Sequence, residues 1–483
     1  MMQKHIHLIG IAGTGMGSFA GLLKAAGHNV RGSDENVYPP MSDKLAAWQI
    51  PVATGYKPEN LDPPPDLVVI GNVIRRTNVE AEAVMSRGLT YTSFPKALHD
   101  LFLVDHHSVV VAGTHGKTTT SSLIAWMLTH AGRDPGMLIG GVPENFAEGF
   151  RLGKGEHFVV EGDEYDTAFF DKRPKFLHYK PESLVLTSLE FDHADIYASV
   201  EAIEREFEKL VQLAGPHARL YVASKDARLR RVAAQQRPGS DDSSIETYTA
   251  DDDPSDAAWY ARDIEVTSSG TTFTAFHRAT SIGKTTTQLF GRHNVENALA
   301  AIAFGLTSGL SAAEVTEALA AFKGVERRQT LRYTIGGIRV LDDFAKHPTE
   351  VAKTTEAVRS RFKDGRLFAV FEPRTATTAR SFFQTAFAKA FDHADEVILA
   401  GVGRKEIPEA ERLDTRRLAE DLRNAGKSAR TIETVDDIVS FLVAETRQDD
   451  TILLMSNGGF GGIYRKLEAA LRAAHPHPTA HPS

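Results

Sequence analysis

The chain has 483 residues, of which 42% are hydrophobic, so its length predicts two to four globular domains with sizeable cores. A formal net charge of −8 and the absence of a long basic run argue against nucleic acid as a partner, because phosphate neutralisation needs clustered Lys and Arg. The lack of cysteine excludes disulfides, thiolate metal sites and cysteine nucleophiles. No secretory region or membrane-length apolar stretch is found, so we expect a cytoplasmic protein with small-molecule partners and no membrane partner.

The first predicted unit, residues 1–106, starts with the features of a Rossmann-like βαβ fold. A strand at residues 5–9 leads into a glycine loop at residues 10–17 and then a helix, and a second strand ends at Ser33 and Asp34. An acidic side chain about twenty residues beyond such glycines is typical of dinucleotide binding. The same loop can hold the diphosphate of a nucleotide sugar, or form no more than a tight turn, so several ligands stay open.

The second predicted unit, residues 107–325, contains the most informative motif of the chain. An apolar run at residues 109–111 breaks into a loop at residues 113–120, which carries Lys117, and a helix with one apolar face follows. A glycine loop between a buried strand and a helix N-terminus is typical of an ATP phosphate site, because backbone N–H groups there favour anions. A second Gly-Lys-Thr-Thr-Thr sequence, at residues 283–287, lacks room for a following helix, so we predict a hairpin turn there.

Two acidic clusters follow predicted strands of the same unit. Residues 161–166 come after a strand at 158–160, and residues 190–195 come after apolar residues 184–189. In a parallel sheet both clusters would meet the phosphate loop at the carboxyl edge. Carboxylate and hydroxyl oxygens are the ligands of the magnesium that accompanies ATP, so the pattern indicates phosphoryl transfer. Each cluster alone could instead consist of helix-capping acids.

The third predicted unit, residues 326–472, repeats an α/β pattern, and we expect residues 473–483 to form a disordered tail. Apolar strands at 338–341, 367–371, 396–400 and 451–455 alternate there with helix-like segments. The predicted fold class is therefore α/β with three domains. They are an N-terminal Rossmann-like domain, a central domain like that of P-loop ATPases, and a C-terminal Rossmann-like domain.

The phosphate loop, the cluster at Glu161 and the segments 192–195 and 291–297 together resemble the Mur ligase family of ATP-dependent amide-forming enzymes. The resemblance spans the whole chain and implies domains that bind a UDP-sugar, ATP and the incoming amino compound, in that order. The implied UDP-sugar residues are Gly13, Gly15, Met16, Ser33, Asp34 and Asn72. The implied ATP residues are Gly113, Thr114, His115, Gly116, Lys117, Thr118, Thr119, His293, Asn294, Asn297, Arg327 and Asp343.

The resemblance also implies roles for these residues. Lys117 would hold the β and γ phosphates, Thr118 and Glu161 would bind one Mg²⁺ ion, and His193 would bind a second. Asn294 and Asn297 would face adenine, while Arg327 and Asp343 would reach from the third domain to the γ-phosphate and the ribose. The implied catalytic residues are Lys117, Glu161, His193, His347 and Arg374.

Two of these catalytic roles stay open. His347 is a candidate base, but the substrate amine could equally bind deprotonated. Arg374 could bind a peptide carboxylate or be an exposed strand-end arginine.

For Lys117 we expect replacement by alanine to abolish ADP formation without unfolding the protein, because a loop lysine should contribute little to core packing.

Within the family, the glycine loop and residues 342–350 resemble enzymes that use UDP-N-acetylmuramic acid itself. One group of these adds L-alanine in peptidoglycan biosynthesis, and another attaches the tripeptide L-alanyl-γ-D-glutamyl-meso-diaminopimelate during murein recycling, both through an acyl phosphate. Segments 189–195, 372–374 and 455–463 resemble the recycling group. Lys346 stands where the family usually has histidine, and we interpret it as a surface substitution, although it could change how the third domain meets the phosphates.

Two other classes of function are alternatives to a ligase. An NAD-dependent dehydrogenase that uses the first unit would leave the Lys117 loop unexplained. A non-catalytic nucleotide-sugar sensor would bind UDP-N-acetylmuramate without stimulated ATP turnover. Neither alternative accounts for the polar ends of three central strands, and the sequence predicts no oligomeric state.

Overall fold

A computed structural model describes residues 2–236, 244–254, 257–267, 269–403 and 406–476. It contains three α/β units in chain order, each built on one main sheet, and the predicted fold class is confirmed. The domain bounds 1–106, 107–325 and 326–472 stay predictions. The last helix continues to Ala474, and residues 477–483 of the predicted tail lie outside the described residues. In the described ranges no helix is long and apolar enough to cross a membrane.

The first unit is an open parallel sheet with helices on its faces. Its elements are β1 (His5–Ile9), α1 (Thr14–Ala25), β2 (Asn29–Asp34), α2 (Met41–Ala47), β3 (Val52–Thr54), β4 (Leu67–Ile70), α3 (Val79–Ser86), β5 (Tyr91–Ser93) and α4 (Phe94–Leu98). The strand order is β3-β2-β1-β4-β5, and all four pairings are parallel. The ends of β1, β2 and β4 therefore meet at one edge, where ligands bind in sheets of this kind.

The second unit has a sheet of ten strands among the described residues, in the order β17-β16-β15-β14-β13-β12-β6-β9-β7-β8. Because β6 pairs in parallel with both β9 and β12, the loops after these three strands leave the same edge. A separate hairpin consists of β10 (Asp166–Ala168) and β11 (Asp171–Pro174). The strands of the sheet are β6 (His107–Ala112), β7 (Gly136–Leu138), β8 (Phe150–Arg151), β9 (His157–Gly162), β12 (Ser183–Leu186), β13 (Arg219–Ala223), β14 (Ile245–Thr249), β15 (Trp259–Thr267), β16 (Gly270–His277) and β17 (Thr280–Thr287). The helices are α5 (Lys117–His130), α6 (Val200–Leu213), α7 (Ala227–Gln236), α8 (Arg292–Thr307) and α9 (Ala312–Ala321).

The second Gly-Lys-Thr-Thr-Thr sequence lies within β17, so the prediction of a hairpin turn at residues 283–287 was wrong. This strand pairs antiparallel with β16, and the turn between them falls at residues 278–279 instead. Thr285 and Thr287 are buried while Lys284 and Thr286 are exposed, which is the alternation of a half-buried strand. The copy is therefore strand rather than a phosphate loop.

The third unit is a six-stranded sheet in the order β18-β19-β23-β20-β21-β22. Only the pairing of β18 with β19 is antiparallel among these described strands. The elements are β18 (Thr330–Ile335), β19 (Ile338–Asp343), α10 (Pro348–Arg361), β20 (Leu367–Phe371), α11 (Gln384–Ala390), β21 (Glu396–Ala400), α12 (Thr415–Asn424), β22 (Ser428–Ile432), α13 (Val435–Glu445), β23 (Thr451–Met455) and α14 (Ile463–Ala474).

The first and second units share one hydrophobic core. The ring centroids of Phe102 and Phe158 lie 6.2 Å apart, and Trp48 packs edge-on against Phe150 at 5.1 Å. Both pairs join a residue of the first unit to a residue of the central sheet, and all four belong to a continuous apolar cluster. Burial of aromatic side chains of this size fixes the first sheet against the second.

Candidate active site

The loop between β6 and α5 contains two glycines whose backbone conformations other residues rarely adopt. The φ angle is +142° at Gly113 and +80° at Gly116. A Cβ on Gly113 would lie 2.1 Å from Oγ1 of Thr187, and one on Gly116 would lie 2.6 Å from Oδ1 of Asn297. Glycine at both positions lets the loop lie close to its neighbours and present its N–H groups at the start of α5, as anion binding requires.

Lys117 is buried in an ion pair with Glu164. Its Nζ lies 2.9 Å and 3.2 Å from the two carboxylate oxygens and donates to the carbonyl of Gly113 at 2.5 Å. The side chains of Lys117 and Glu164 are only 13% and 2% exposed. Burial acts to lower the pKa of this lysine, but the charges of Glu164, Asp163 and Glu161 outweigh burial and raise it. A permanently charged ammonium group therefore lies beneath the phosphate loop.

Thr118 and Glu161 are in contact at the edge of the central sheet. The hydroxyl of Thr118 donates to both carboxylate oxygens of Glu161, at 3.0 Å and 3.1 Å. The backbone N–H of Gly140 donates to Oε2 of the same carboxylate at 2.9 Å. Glu161 reaches this position because it pairs with Val111 in the parallel ladder of β6 and β9. A hydroxyl and a carboxylate provide the hard oxygen atoms that Mg²⁺ prefers, so these residues fit the predicted ion.

His193 lies on the far side of the Lys117–Glu164 pair. Its Nε2 is 3.2 Å from Oε1 of Glu164, and one ligand atom each from Asp163, Glu164 and His193 lie within 4.8 Å of one another. Burial acts to raise the pKa of Asp163, but the charges of Lys175 and Lys117 outweigh burial and hold it well below its usual range. Two carboxylates and an imidazole suit a divalent cation, so this cluster fits the predicted second Mg²⁺ position.

A cavity beside the phosphate loop is enclosed by the loop, the start of α8 and the beginning of the third unit. Most of the predicted ATP residues line it: His115, Gly116, Thr118, Thr119, His293, Asn294, Asn297 and Asp343. The lining does not include Gly113, Thr114, Lys117 or Arg327. It does include residues that were not predicted: Thr187, Ser188, Tyr248, Glu296, Arg328, Gln329, Glu350, Lys353 and Thr354.

The helical spacing of α10 could have revealed three of these unpredicted residues. Glu350, Lys353 and Thr354 are separated by three and four positions, which places them on one face of a helix. That face is turned toward the cavity. The helix-like segment predicted between the strands at 338–341 and 367–371 thus carried this information in its sequence pattern.

Arg327 and its neighbour Arg328 contact different parts of the site. Nη2 of Arg327 donates to the carbonyls of Ser456 and Gly458, at 2.6 Å and 2.8 Å, whereas Arg328 lines the cavity. The backbone at Arg327 has a φ of +60°. Of the two arginines, Arg328 is the one that lines the nucleotide cavity, and the contact of Arg327 with the γ-phosphate stays a prediction.

Two buried titratable groups of the cavity have strongly shifted pKa values. Burial raises the pKa of Asp343 to about 6, although its oxygens accept N–H groups of Gln329 at 2.8 Å and Ala345 at 2.7 Å. Burial, reinforced by the charge of Lys353, lowers the pKa of His293 to about 3. At neutral pH the imidazole of His293 is therefore uncharged, which suits a hydrogen bond to a neutral ligand group rather than a phosphate contact.

The loop at residues 190–195 contacts the third unit directly. Nζ of Lys346 lies 2.9 Å from Oδ2 of Asp192, and the lysine side chain is only 22% exposed, so its interpretation as a surface substitution was wrong. His347 donates from Nε2 to the carbonyl of Phe191 at 3.2 Å and accepts the N–H of Thr349 at Nδ1 at 3.3 Å. Burial lowers the pKa of His347 to about 4, so this ring is neutral at neutral pH.

Arg374 is exposed at the end of β20 and lies over Gly458. A Cβ on Gly458 would lie 1.2 Å from Nη1 and 2.3 Å from Cζ of Arg374. Two residues before the arginine, Glu372 accepts a hydrogen bond from the hydroxyl of Ser456, whose Oγ accepts the N–H of Gly458 at 3.0 Å. The segments 372–374 and 455–463, which follow neighbouring parallel strands, are therefore in contact.

The predicted UDP-sugar residues lie at or just beyond the strand ends of the first sheet. Asp34 accepts the N–H of Ala12 at 2.9 Å and thereby holds the glycine loop. Ser33 donates to the fully buried Glu80 at 2.7 Å, so its hydroxyl already has a structural partner. Ser33 and Asp34 are the last residues of β2, whereas the other members of the group follow β1 or β4: Gly13, Gly15, Met16 and Asn72.

The fold and site are those of an enzyme that binds a nucleoside triphosphate at a phosphate loop, with a third α/β unit packed over the nucleotide cavity. Comparison with known families gives three matches in the same order along the chain. The Mur ligase family catalytic domain matches residues 5–105, the Mur ligase middle domain matches 111–305, and the Mur ligase glutamate ligase domain matches 327–458.

Individual relatives agree with these matches. The chain is 39% identical over 463 residues to the UDP-N-acetylmuramate–L-alanyl-γ-D-glutamyl-meso-2,6-diaminoheptandioate ligase of Escherichia coli K12, covering 96% of this chain and 97% of that protein. It is 30% identical to the UDP-N-acetylmuramate–L-alanine ligase of Desulfitobacterium hafniense, covering 96% and 98%. A crystal structure of a murein peptide ligase from Psychrobacter arcticus is 35% identical with a TM-score of 0.71, covering 97% and 98%.

The chain belongs to the Mur ligase family, as its motifs predicted. It is an ATP-dependent ligase that forms an amide bond.

We predict that Lys117→Met lowers ATP turnover at least about 100-fold, because the developing phosphate charge loses its fixed cation. The same change should lower the free energy of unfolding by about 3–5 kcal/mol, because it leaves the buried Glu164 carboxylate unpaired. The double variant Lys117→Met/Glu164→Gln should recover most of this stability and none of the turnover. Urea unfolding and ADP release measure the two effects. Recovery of turnover in the double variant would contradict the assigned role of Lys117.

We also predict that Arg327 and Arg328 differ in their effect on ATP binding. Arg328→Met should raise the KM for ATP about tenfold or more, because a charge facing the nucleotide cavity is lost. Arg327→Met should leave the KM for ATP within about twofold and act on the peptide substrate through the carbonyls of residues 456 and 458. Initial rates with each substrate varied in turn distinguish the two variants, and an ATP defect confined to Arg327→Met would reverse the assignment.

Proposed function

We propose that this protein joins L-alanyl-γ-D-glutamyl-meso-diaminopimelate to UDP-N-acetylmuramate in murein recycling. The Escherichia coli relative named for this reaction has higher identity to the chain than the alanine ligase does. The observation that carries the choice is the contact between Arg374 and Gly458. It brings together the two third-unit segments that resemble the recycling group, at strand ends where a peptide carboxylate could reach a guanidinium.

We propose that the reaction proceeds through an acyl phosphate. An oxygen of the lactoyl carboxylate attacks the γ-phosphorus of ATP, and ADP leaves. The amine of the alanyl residue then attacks the acyl carbon, an amide bond forms, and inorganic phosphate departs with the carboxylate oxygen. Lys117 offsets the negative charge that accumulates when the carboxylate approaches the γ-phosphate. Arg328, from the third unit, would add a second positive charge at the nucleotide.

The reaction needs a divalent cation, for which the chain offers two sets of ligands. The Thr118 hydroxyl and the Glu161 carboxylate would hold one Mg²⁺, and His193 with Glu164 would hold a second. Bound Mg²⁺ supplies neutralisation of phosphate charge. These side chains orient one another through the hydrogen bonds described above, so they need little rearrangement to bind.

The proton of the amine has no obvious acceptor in His347. Nε2 of that ring already donates to a backbone carbonyl, and Nδ1 accepts a backbone N–H. Since both nitrogens have partners, we favour binding of the amine in its deprotonated form, and the proton lost when the amide forms leaves on the departing phosphate. His347 then has an orienting role, because it joins the loop at residues 190–195 to the start of α10.

We also propose that the UDP portion of the substrate binds at the glycine loop of the first unit, next to Asp34 and Asn72. The proposed domain bounds are 1–106, 107–325 and 326–472. A cytoplasmic location is proposed as well, because ATP and UDP-linked sugars are cytoplasmic metabolites.

Phosphate release from ATP, with UDP-N-acetylmuramate present, tests the substrate choice. We expect turnover with the tripeptide at least about 100-fold faster than with L-alanine, because a lone amino acid cannot reach the guanidinium of Arg374 with a distal carboxylate. Gly458→Ala should raise the KM for the tripeptide about tenfold or more, since its Cβ would displace Arg374. Gly459→Ala is the matched control, because a Cβ there has no neighbour within 4 Å.

Equal turnover with L-alanine would contradict the recycling assignment and favour the biosynthetic reaction. An identical KM for the tripeptide in both glycine variants would contradict the role given to Arg374. Binding of UDP-N-acetylmuramate without any stimulated ATP turnover would favour the sensor, and NADH binding would favour the dehydrogenase.

A further inference from the structure

Four side chains form a cluster where the phosphate loop meets the third unit. His115 and Glu190 come from the second unit, and His347 and Glu350 come from the third. The ring centroids of the two histidines lie 4.7 Å apart, and their side chains are 9% and 5% exposed. The proposed ligase reaction does not use the ring nitrogens that face the centre of this cluster.

The outward-facing ring nitrogens have hydrogen-bond acceptors. Nδ1 of His115 lies 3.2 Å from Oε1 of Glu350, and Nε2 of His347 lies 3.2 Å from the carbonyl of Phe191. A carbonyl only accepts, so Nε2 of His347 carries the hydrogen and Nδ1 has the lone pair. The N–H of Thr349 donates to that lone pair at 3.3 Å, so a metal ion on Nδ1 would replace one long hydrogen bond. In neutral His115, donation from Nδ1 to Glu350 likewise leaves the lone pair on Nε2.

The inward-facing nitrogens approach one carboxylate oxygen at distances that are too long for good hydrogen bonds. Nε2 of His115 is 3.5 Å from Oε2 of Glu190, and Nδ1 of His347 is 3.6 Å from the same atom. Nitrogen–oxygen hydrogen bonds are about 2.7–3.2 Å long. Nε2 of His115 is buried and has no hydrogen-bond partner. A buried nitrogen with an available lone pair and no partner needs an explanation.

The spacing of these atoms matches that of ligands around one metal ion. Zinc binds imidazole and carboxylate about 2.0–2.2 Å away, so two ligands at corners of a tetrahedron lie roughly 3.4 Å apart. The separations of 3.5 Å and 3.6 Å are close to this value, and one ligand atom from each of the three residues lies within 4.8 Å of the others. Histidines that bind metals also donate their other N–H to a carboxylate or a carbonyl. Glu350 and the Phe191 carbonyl are placed to accept these hydrogens.

We propose that Nε2 of His115, Nδ1 of His347 and Oε2 of Glu190 form a Zn²⁺ site between the second and third units. Two imidazoles and one carboxylate favour Zn²⁺ over Mg²⁺, which prefers oxygen ligands. The ligands come from both units, so the site exists only while α10 lies against the phosphate loop. An ion bound here would hold the third unit over the nucleotide cavity.

The alternative to a metal ion on Nε2 of His115 is a proton on the same nitrogen. Burial acts to lower the pKa of His115, but the Glu190 and Glu350 carboxylates outweigh burial and raise it. A protonated ring would satisfy Nε2 without a metal. Direct measurement of metal binding by the full-length chain distinguishes the two occupants.

Co²⁺ is a suitable probe, because its visible absorption reports nitrogen coordination in sites that accept zinc. The metal-stripped protein, without nucleotide, is titrated with Co²⁺ at mildly alkaline pH, where imidazoles are neutral. We expect one equivalent to give an intense visible band that Zn²⁺ abolishes and excess Mg²⁺ leaves unchanged. Circular dichroism confirms that each variant is folded.

Three variants assign the band to this cluster. Glu190→Gln keeps an acceptor for the Thr349 hydroxyl, which contacts Glu190 at 2.6 Å, and His347→Asn keeps a residue that caps α10. Each should weaken Co²⁺ binding at least about tenfold. His193→Ala, which alters the Asp163–Glu164–His193 cluster, is the control and should retain the band.

A folded Glu190→Gln protein with unchanged Co²⁺ affinity would overturn the proposal, as would absence of the band in the wild-type protein. Loss of the band in His193→Ala alone would assign the metal to the other cluster. If His347→Asn fails to fold, Glu190→Gln decides the outcome.

Discussion

The buried ion pair between Lys117 and Glu164 is the interaction on which the rest of the site depends. It joins the first residue of α5 to the acidic segment after β9, and His193 contacts the same carboxylate from the loop after β12. Three parallel strand ends are thereby connected through one charge pair. A buried pair of this kind contributes little net stability but costs several kcal/mol when only one partner is removed. It therefore favours one arrangement of the loops, with the ammonium group beneath the phosphate loop.

Contacts between the second and third units connect this charge pair to the part of the site where the other substrates are proposed to bind. Lys346 pairs with Asp192, and His347 contacts the backbone of Phe191, so the third unit is attached to the same loop that carries His193. Arg327 holds the carbonyls of residues 456 and 458, over which Arg374 lies. Activation of a carboxylate and attack by an amine need reactants from different domains to meet, which these contacts allow.

The sequence predicted the parts of the molecule that depend on local pattern. Apolar strands, a glycine loop before a helix and acids at strand ends are all local signals, and they predicted the α/β class. The family resemblance predicted that Thr118 and Glu161 act together, and the two side chains are in contact. The family resemblance added the order of the domains and the reaction.

Features that depend on tertiary contacts were not predictable. Arg327 and Arg328 are identical residue types at adjacent positions, and no local pattern shows that Arg328 is the one that lines the cavity. Lys346 resembled a surface residue because its partner, Asp192, lies 154 positions away. Lys117 was expected to matter little for stability, since no local pattern reveals that Glu164 is buried beside it. The strand at 283–287 was mistaken for a turn because Gly-Lys suggests a turn, whereas pairing with β16 determined its conformation.

The central claim is that a carboxylate and the γ-phosphate of ATP react directly above Lys117. Transfer of ¹⁸O from the lactoyl carboxylate of labelled UDP-N-acetylmuramate, followed by mass spectrometry of the released phosphate, tests this claim most directly. The account predicts that each phosphate formed in the presence of the tripeptide carries one ¹⁸O atom from the carboxylate. Phosphate free of ¹⁸O, formed together with the amide product, would contradict an acyl phosphate and with it the chemical role given to this site.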